Sequence, residues 1–192
     1  AGCVLQAVQQ AAEEAGLLFP LSLAAEGSCT IGGTLATNAG GTQVLRYGNA
    51  RALCLGLEAV TAGGAVWHGL AGLRKDNTGR DLLIGSDGTL ALITAAPLTL
   101  HPRPAATMTA LAACASLDAC LALLAAAQQQ LGPGLTGFEV MNALSLALVA
   151  RHFPQLRQPL PGVPWTVLVE LSDSEGEDHA RSRCEALLTG AR

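Results

Sequence analysis

The sequence predicts an α+β chain in two parts: an antiparallel sheet with flanking helices, then a second unit in which helices alternate with strands. Three observations predict it. Two β-rich runs, Leu53 to Val60 and Ala65 to His68, are joined by Ala62-Gly63-Gly64, a spacing suited to a tight hairpin turn. A third run, Leu90 to Leu100, stops at His101-Pro102-Arg103-Pro104, where the prolines forbid further ladder pairing. Beyond them the texture changes to Ala- and Leu-rich runs at helical spacing with short β-like segments between. The proline segment is therefore the expected boundary, giving domains 1–104 and 105–192.

Taken in order, Val4, Leu5, Val8, Ala11, Ala12 and Ala15 share one helical face, Gln and Glu fill the other, and Gly16 supplies a left-handed stop. Leu17 to Pro20 is a short apolar exit. The stretch from Gly27 to Gly41 holds Gly27, Gly32, Gly33, Gly40 and Gly41, a density that implies close backbone approach to another segment or to a ligand. In the second part, Leu117 to Leu131 reads as a helix with Ser116 as N-cap, Leu135 to Met141 as a strand, Leu144 to His152 as a helix and Trp165 to Leu171 as a strand. Ser172-Asp173-Ser174-Glu175 has capping-box spacing before a last helix through Leu188. Two strands make a poor sheet, so this part is expected to be unfinished.

Composition excludes more than it identifies. A chain of 192 residues, half of them apolar, can build one good core or two small ones. A net charge of −4, with 11 Lys and Arg scattered singly, leaves no basic face for phosphate backbones, which excludes nucleic acid as the main partner. The apolar runs Leu121 to Ala127 and Ala143 to Ala150 fall well short of the roughly 20 residues of a membrane span, so a soluble protein is expected. No signal peptide is visible, and the abrupt opening Ala1-Gly2-Cys3-Val4 suggests a missing upstream region. Six dispersed cysteines without a C-x-x-C pair predict buried, reduced thiols in a cytoplasmic protein. His68, His101, His152 and His179 lack metal-ligand spacing, and no Ser, His and Asp grouping or paired carboxylate occurs. No catalytic residue and no metal ligand is assigned.

Two glycine motifs need weighing. Gly132-Pro133-Gly134-Leu135-Thr136-Gly137 matches G-x-G-x-x-G, but a dinucleotide fingerprint follows a strand and opens a helix, whereas this one follows a helix and opens a strand. It reads as a turn. The second, Gly27-Ser28-Cys29-Thr30-Ile31-Gly32-Gly33-Thr34-Leu35-Ala36-Thr37-Asn38-Ala39-Gly40-Gly41, offers small side chains, hydroxyls, an amide and backbone N–H groups. Those features can hold an anion or a flat ring against the main chain without net positive charge. They also suit a glycine-rich connection between packed elements, and the residues alone leave both readings open.

This second motif resembles the T-I-G-G-x-x-A-T-N-A-G-G signature of flavoproteins with the FAD-binding domain shared by vanillyl-alcohol oxidase and p-cresol methylhydroxylase (PCMH-type). Within that superfamily the chain is similar to the branch of D-2-hydroxyglutarate and D-lactate dehydrogenases, the FAD-linked oxidases. Further blocks agree in order: Phe19-Pro20-Leu21, Val44-Leu45-Arg46-Tyr47-Gly48, Leu55-Gly56-Leu57-Glu58, Leu73-Arg74-Lys75-Asp76-Asn77-Thr78-Gly79, and Ile84-Gly85-Ser86-Asp87-Gly88-Thr89-Leu90 followed by Ile93-Thr94. Phe138-Glu139-Val140-Met141 and His152-Phe153-Pro154 resemble the start of that family's substrate domain. Thr34 stands where the family more often has Asn, Ala91 replaces a usual Gly, and the segment from Gly79 to Gly85 is about three residues shorter than its counterpart.

The resemblance implies the second half of a PCMH-type FAD-binding domain over 1–104, followed by the start of an α+β, ferredoxin-like substrate (cap) domain over 105–192, so that the chain is the middle piece of a longer oxidoreductase. It implies FAD held by Thr30, Ile31, Gly32 and Gly33 and by Thr37, Asn38, Ala39, Gly40 and Gly41, chiefly through backbone, with Ile93 touching the cofactor. Lys75 and Asn77 would lie at the flavin edge; as residues, Asp76-Asn77-Thr78-Gly79 read equally as an Asx-type turn. The implied reaction is hydride transfer from a D-2-hydroxy acid to flavin, with a divalent metal only in the full-length enzyme. The chain alone is expected to bind FAD weakly or not at all, to lack turnover, and to self-associate through apolar surface left uncovered. The alternatives are a non-catalytic α+β module that keeps a flavin-type fold, and a flavin oxidase or reductase of another substrate.

Overall fold

The computed structural model describes residues 1–71 and 78–190, and the chain divides into two compact units, Ala1–Arg103 and Pro104–Arg192. In the first, α1 (Leu5–Glu14) is followed by β1 (Leu17–Leu18), α2 (Ile31–Ala36), α3 (Val44–Tyr47), β2 (Leu57–Thr61), β3 (Val66–Gly69), α4 (Thr78–Leu83), β4 (Ala91–Ala95) and β5 (His101–Pro102). Helix α1 buries Leu5 and Ala12 and ends where expected, at Gly16 with φ +72°. The predicted hairpin is present: β2 and β3 pair antiparallel around a turn in which Gly64 takes φ +82°. Strand β4 joins on the other side, giving the order β3-β2-β4.

Three expectations for this unit change. The glycine-rich stretch contains a helix, α2, with Gly32 and Gly33 inside it; tertiary packing overrides the weak helix propensity of glycine. The strand expected from Leu53 starts only at Leu57, the preceding residues making single contacts such as Leu55 N–H to Pro97 O (2.9 Å) and Thr99 N–H to Leu53 O (2.8 Å). The His101-Pro102 segment does pair, with Leu17 opposite Pro102 and Leu18 opposite His101. A two-residue ladder at an edge does not require the N–H that proline lacks. The core of this unit is Leu5, Phe19, Leu21, Ile31, Leu35, Leu53, Cys54, Leu57 and Ile84.

The second unit runs β6 (Ala106–Cys114), α5 (Leu117–Leu131), β7 (Leu135–Asn142), α6 (Ala143–His152), β8 (Trp165–Asp173) and α7 (Glu177–Gly190). All pairings are antiparallel in the order β6-β8-β7. Strand β6 was not expected. Its sequence ATMTALAAC is poor in β-branched aliphatics, yet Ala106 and Cys114 are buried and Thr107 and Thr109 exposed, the alternation of a half-buried strand. It supplies the third strand the sheet needs, so this part is less unfinished than two strands implied. Ser116 caps α5 as expected, its Oγ accepting from Ala119 N–H at 3.1 Å. Leu123, Ala127 and Leu131 of α5 and Ala180, Cys184 and Leu187 of α7 pack with Val167, Val169 and Leu171 into one core. The G-x-G-x-x-G letters form a 3₁₀ turn, Gly132–Gly134, with Gly132 at φ +51°, leading from α5 into β7.

The predicted capping box is replaced. Asp173, only 3% exposed, accepts from Glu175 N–H (2.7 Å) and Gly176 N–H (3.3 Å), so the last residue of the strand holds the turn and the helix begins at Glu177. Asp173 Oδ2 also lies 2.8 Å from His179 Nδ1 and 3.5 Å from Arg183. Burial raises this carboxyl's pKa, but the two backbone donors and His179 outweigh it and hold the group below the ordinary carboxylate range.

Candidate cofactor-binding site

The backbone of the glycine-rich stretch is anchored at both ends before any ligand is considered. Thr30 is extended and caps α2, its Oγ1 accepting from Gly33 N–H at 3.2 Å. Ile31 is buried and gives its N–H to Cys3 O (2.9 Å), while Gly32 gives its N–H to Ala1 O (2.7 Å). A Cβ on Gly32 would lie 2.8 Å from that of Ala1, so glycine is needed there. The Ala1 nitrogen lies 2.8 Å from Thr94 O, which brings the start of α2 beside β4 and therefore near Ile93, a half-buried residue paired with Ala59. Thr34 is buried with its hydroxyl donating to Ile31 O (2.9 Å), a role internal to the helix.

At the other end, Thr37 Oγ1 donates to Gly33 O (3.0 Å), and Asn38 takes φ +48°, the left-handed region that Asn tolerates. Its Oδ1 accepts from Arg51 N–H at 3.0 Å. Ala39 is tied on both sides, N–H to Thr34 O (2.8 Å) and O from Ala50 N–H (2.9 Å). Gly41 passes so close to another strand of backbone that a Cβ would sit 2.2 Å from Ser22 O. Among the described residues, no protein acceptor takes the N–H groups of Gly40 and Gly41. These two, on exposed and half-exposed backbone without Cβ atoms, are donors left for an anion or a ring edge. The N–H groups of Ile31, Gly32 and Gly33 are occupied by the chain itself.

Arg51 is the residue that sequence reasoning missed here. Its guanidinium donates to Asp81 O and to Ile84 O (2.6 Å), and Arg80 donates to Cys54 O (2.7 Å) and to the Asp81 carboxylate (2.8 Å). A lone guanidinium between Ala50 and Ala52 in an apolar stretch was the available signal. Nothing in the sequence singled out Ser22. Lys75 and Asn77 lie outside the described residues. His101, expected to be isolated, stacks edge-on with Tyr47 at 4.8 Å, and burial with the nearby Arg46 charge lowers its pKa. All six cysteines are free thiols; Cys54, Cys114, Cys120 and Cys184 are buried, Cys29 is half-buried and Cys3 exposed. Among the described residues no helix is long and apolar enough to cross a membrane.

Comparison with known proteins finds a match for each of two segments. Residues 1–69 match the FAD binding domain, and residues 103–191 match the C-terminal domain of FAD linked oxidases. Two similar relatives are both named D-2-hydroxyglutarate dehydrogenase, mitochondrial. The protein of Bos taurus is 45% identical over 188 residues, 96% of this chain and 34% of that one. The protein of Arabidopsis thaliana is 40% identical over 192 residues, 98% of this chain and 34% of that one. The chain thus spans about a third of the length of the curated relatives it matches. A solved alkyldihydroxyacetonephosphate synthase superimposes with a TM-score of 0.73 at 18% identity, over 98% of this chain and 39% of the other, which establishes a shared fold.

Proposed function

We propose that this chain, which belongs to the FAD-linked oxidases, supplies one wall of the flavin cleft and the start of the substrate domain of a D-2-hydroxy acid dehydrogenase, with 2-hydroxyglutarate favoured over lactate as substrate. The residue spans 1–104 and 105–192 are our division of it into the C-terminal half of an FAD-binding domain and the N-terminal part of the substrate domain. What supports the reading most directly is the Gly40-Gly41 backbone: two unclaimed N–H groups in the matched FAD binding segment, at a site where Ser22 leaves no room for a side chain.

The residues fit a dinucleotide flavin on the chemistry of the donor set. The unclaimed backbone N–H groups suit an uncharged or anionic rim, and glycines permit close approach. When bound, the flavin supplies hydride acceptance from the carbinol carbon of the hydroxy acid. Gly40 and Gly41 donate to the cofactor, Thr37 to Ala39 hold that backbone in place, Thr30 to Gly33 pack against the ring, the N–H groups of Ile31, Gly32 and Gly33 being occupied by the chain, and Ile93 lines the apolar side. No residue of the chain is assigned a proton transfer or a metal.

Small-molecule sites normally enclose most of their ligand. With one wall, the chain alone retains no flavin band in its visible spectrum after incubation with FAD and desalting. A longer protein that includes the remaining two thirds of its relatives' length retains the band and bleaches on adding D-2-hydroxyglutarate. A retained band in the short chain would overturn the split-cleft reading, and a colourless longer protein would sink the flavin assignment itself. Exposed Leu144, Leu148 and Phe153 support self-association of the chain, which a monodisperse monomer by light scattering would contradict. The free thiols favour a reducing compartment, and of those the cytoplasm is retained as our reading although both relatives carry mitochondrial names.

A further inference from the structure

We propose that Arg51 is a positioning residue for the cofactor, holding the Thr37–Gly41 backbone in its binding shape through the turn from Asp81 to Asp87; the proposal rests on the flavin reading above. Arg51 joins two segments at once. Its own N–H is taken by Asn38 Oδ1 (3.0 Å), which steadies a residue in the left-handed region at the start of the binding backbone. Its guanidinium collects the carbonyls of Asp81 and Ile84 (2.6 Å to the latter). The same turn then reaches back to α2: Gly85 N–H donates to Leu35 O (3.1 Å) and Asp87 N–H to Ala36 O (2.9 Å), satisfying the last carbonyls of a six-residue helix.

The circuit closes sterically as well. Gly85 has φ +80°, and a Cβ on it would lie 3.2 Å from Asn38 Cβ and 3.3 Å from an Arg51 guanidinium nitrogen. Asn38, Arg51 and Gly85 therefore form one junction in which each limits the others. Asp81 lies 3.7 Å from the guanidinium and is shared with Arg80, so the charge is partly neutralised and Arg51 acts through geometry rather than as an anion receptor. A planar fork reaches two carbonyls of one turn, whereas a lysine ammonium at the end of a flexible stem lacks that fork geometry.

The test uses amide hydrogen exchange on this chain and flavin affinity on the longer protein. In Arg51→Met, exchange at Gly85 and Asp87 speeds up by about tenfold or more relative to wild type, the size expected for losing charge-assisted hydrogen bonds. Arg51→Lys does not restore it. Leu5→Val, a destabilised control in the same core, raises exchange without singling out these two amides. In the longer protein, Arg51→Met and Arg51→Lys raise the FAD dissociation constant by about tenfold and change the shape of the bound flavin band, while Leu5→Val does neither. Unchanged exchange at Gly85 and Asp87 would overturn the junction. Faster exchange with unaltered FAD affinity would overturn its role toward the cofactor. If the wild-type longer protein holds no FAD, the flavin reading fails and takes this role with it, while the exchange data still report on the junction.

Discussion

The two units hold their shape by different means. In Pro104–Arg192 a regular antiparallel sheet is covered by two amphipathic helices, and the core is a continuous set of Leu, Val, Ala and Cys side chains. In Ala1–Arg103 the strands are short, and segments distant in sequence are joined by single backbone bonds, glycine contacts and two arginines that reach carbonyls. The first kind of unit depends on apolar area, the second on where individual backbone atoms pass. A backbone that is to bind a ligand suits the second kind, because its N–H groups must be left unclaimed while everything around them is fixed.

That contrast can be broken experimentally, since Trp67 reports on the first unit and Trp165 on the second. The largest effect is expected from Leu171→Ala, which empties a fully buried site in the core of the second unit and should cost about 3 kcal/mol. Denaturant unfolding followed in a Trp67→Phe background would register it at Trp165, whereas Trp165→Phe would show little change at Trp67. Equal shifts at both would mean the two units unfold as one. Next, Gly41→Ala adds a single methyl group 2.2 Å from Ser22 O and should cost about 2 kcal/mol in the Trp67 transition. A neutral result there would deny that backbone position governs the first unit.

The smallest effect is the acid response: both units lose stability as pH falls, but from different onsets. Asp173 has a depressed folded pKa, so its contribution is complete above the unfolded value of about 3.9 and disappears as pH falls through the folded one. Asp173→Asn should flatten that part of the stability profile at Trp165. His101 is also depressed, but for a base this means that the unfolded chain protonates first, so stability at Trp67 declines as pH drops below about 6.5. His101→Phe should remove that decline. The opposite order of onset, with Trp165 responding first, would show that these groups do not govern acid sensitivity.

How far the sequence could be read follows the same division. In the second unit the helical periodicity of α5 and its Ser116 cap, the apolar runs of β7 and β8, and the wrong context of the Gly132 motif were all legible. Strand β6 was not, because Ala and Thr alternate inward and outward with too little hydrophobic contrast. In the first unit α1, its Gly16 stop and the hairpin were legible, and the ordered blocks around Gly27 to Gly41 carried the family. The helix inside that stretch, the passage of Gly41 against Ser22 and the reach of Arg51 were not, since each depends on a partner more than ten residues away.

Local spacing, turn chemistry and ordered motifs by themselves determined the two-part α+β organisation, its division near the prolines and the resemblance to flavoproteins, because those properties are written in residues close together in the chain. Only the tertiary structure decided which backbone N–H groups stay unclaimed and what holds them so. Hydrogen bonds such as Gly32 to Ala1 and Ile31 to Cys3 compete for the same donors that a cofactor would use, and the outcome depends on distances of a few ångströms between segments that periodicity cannot relate.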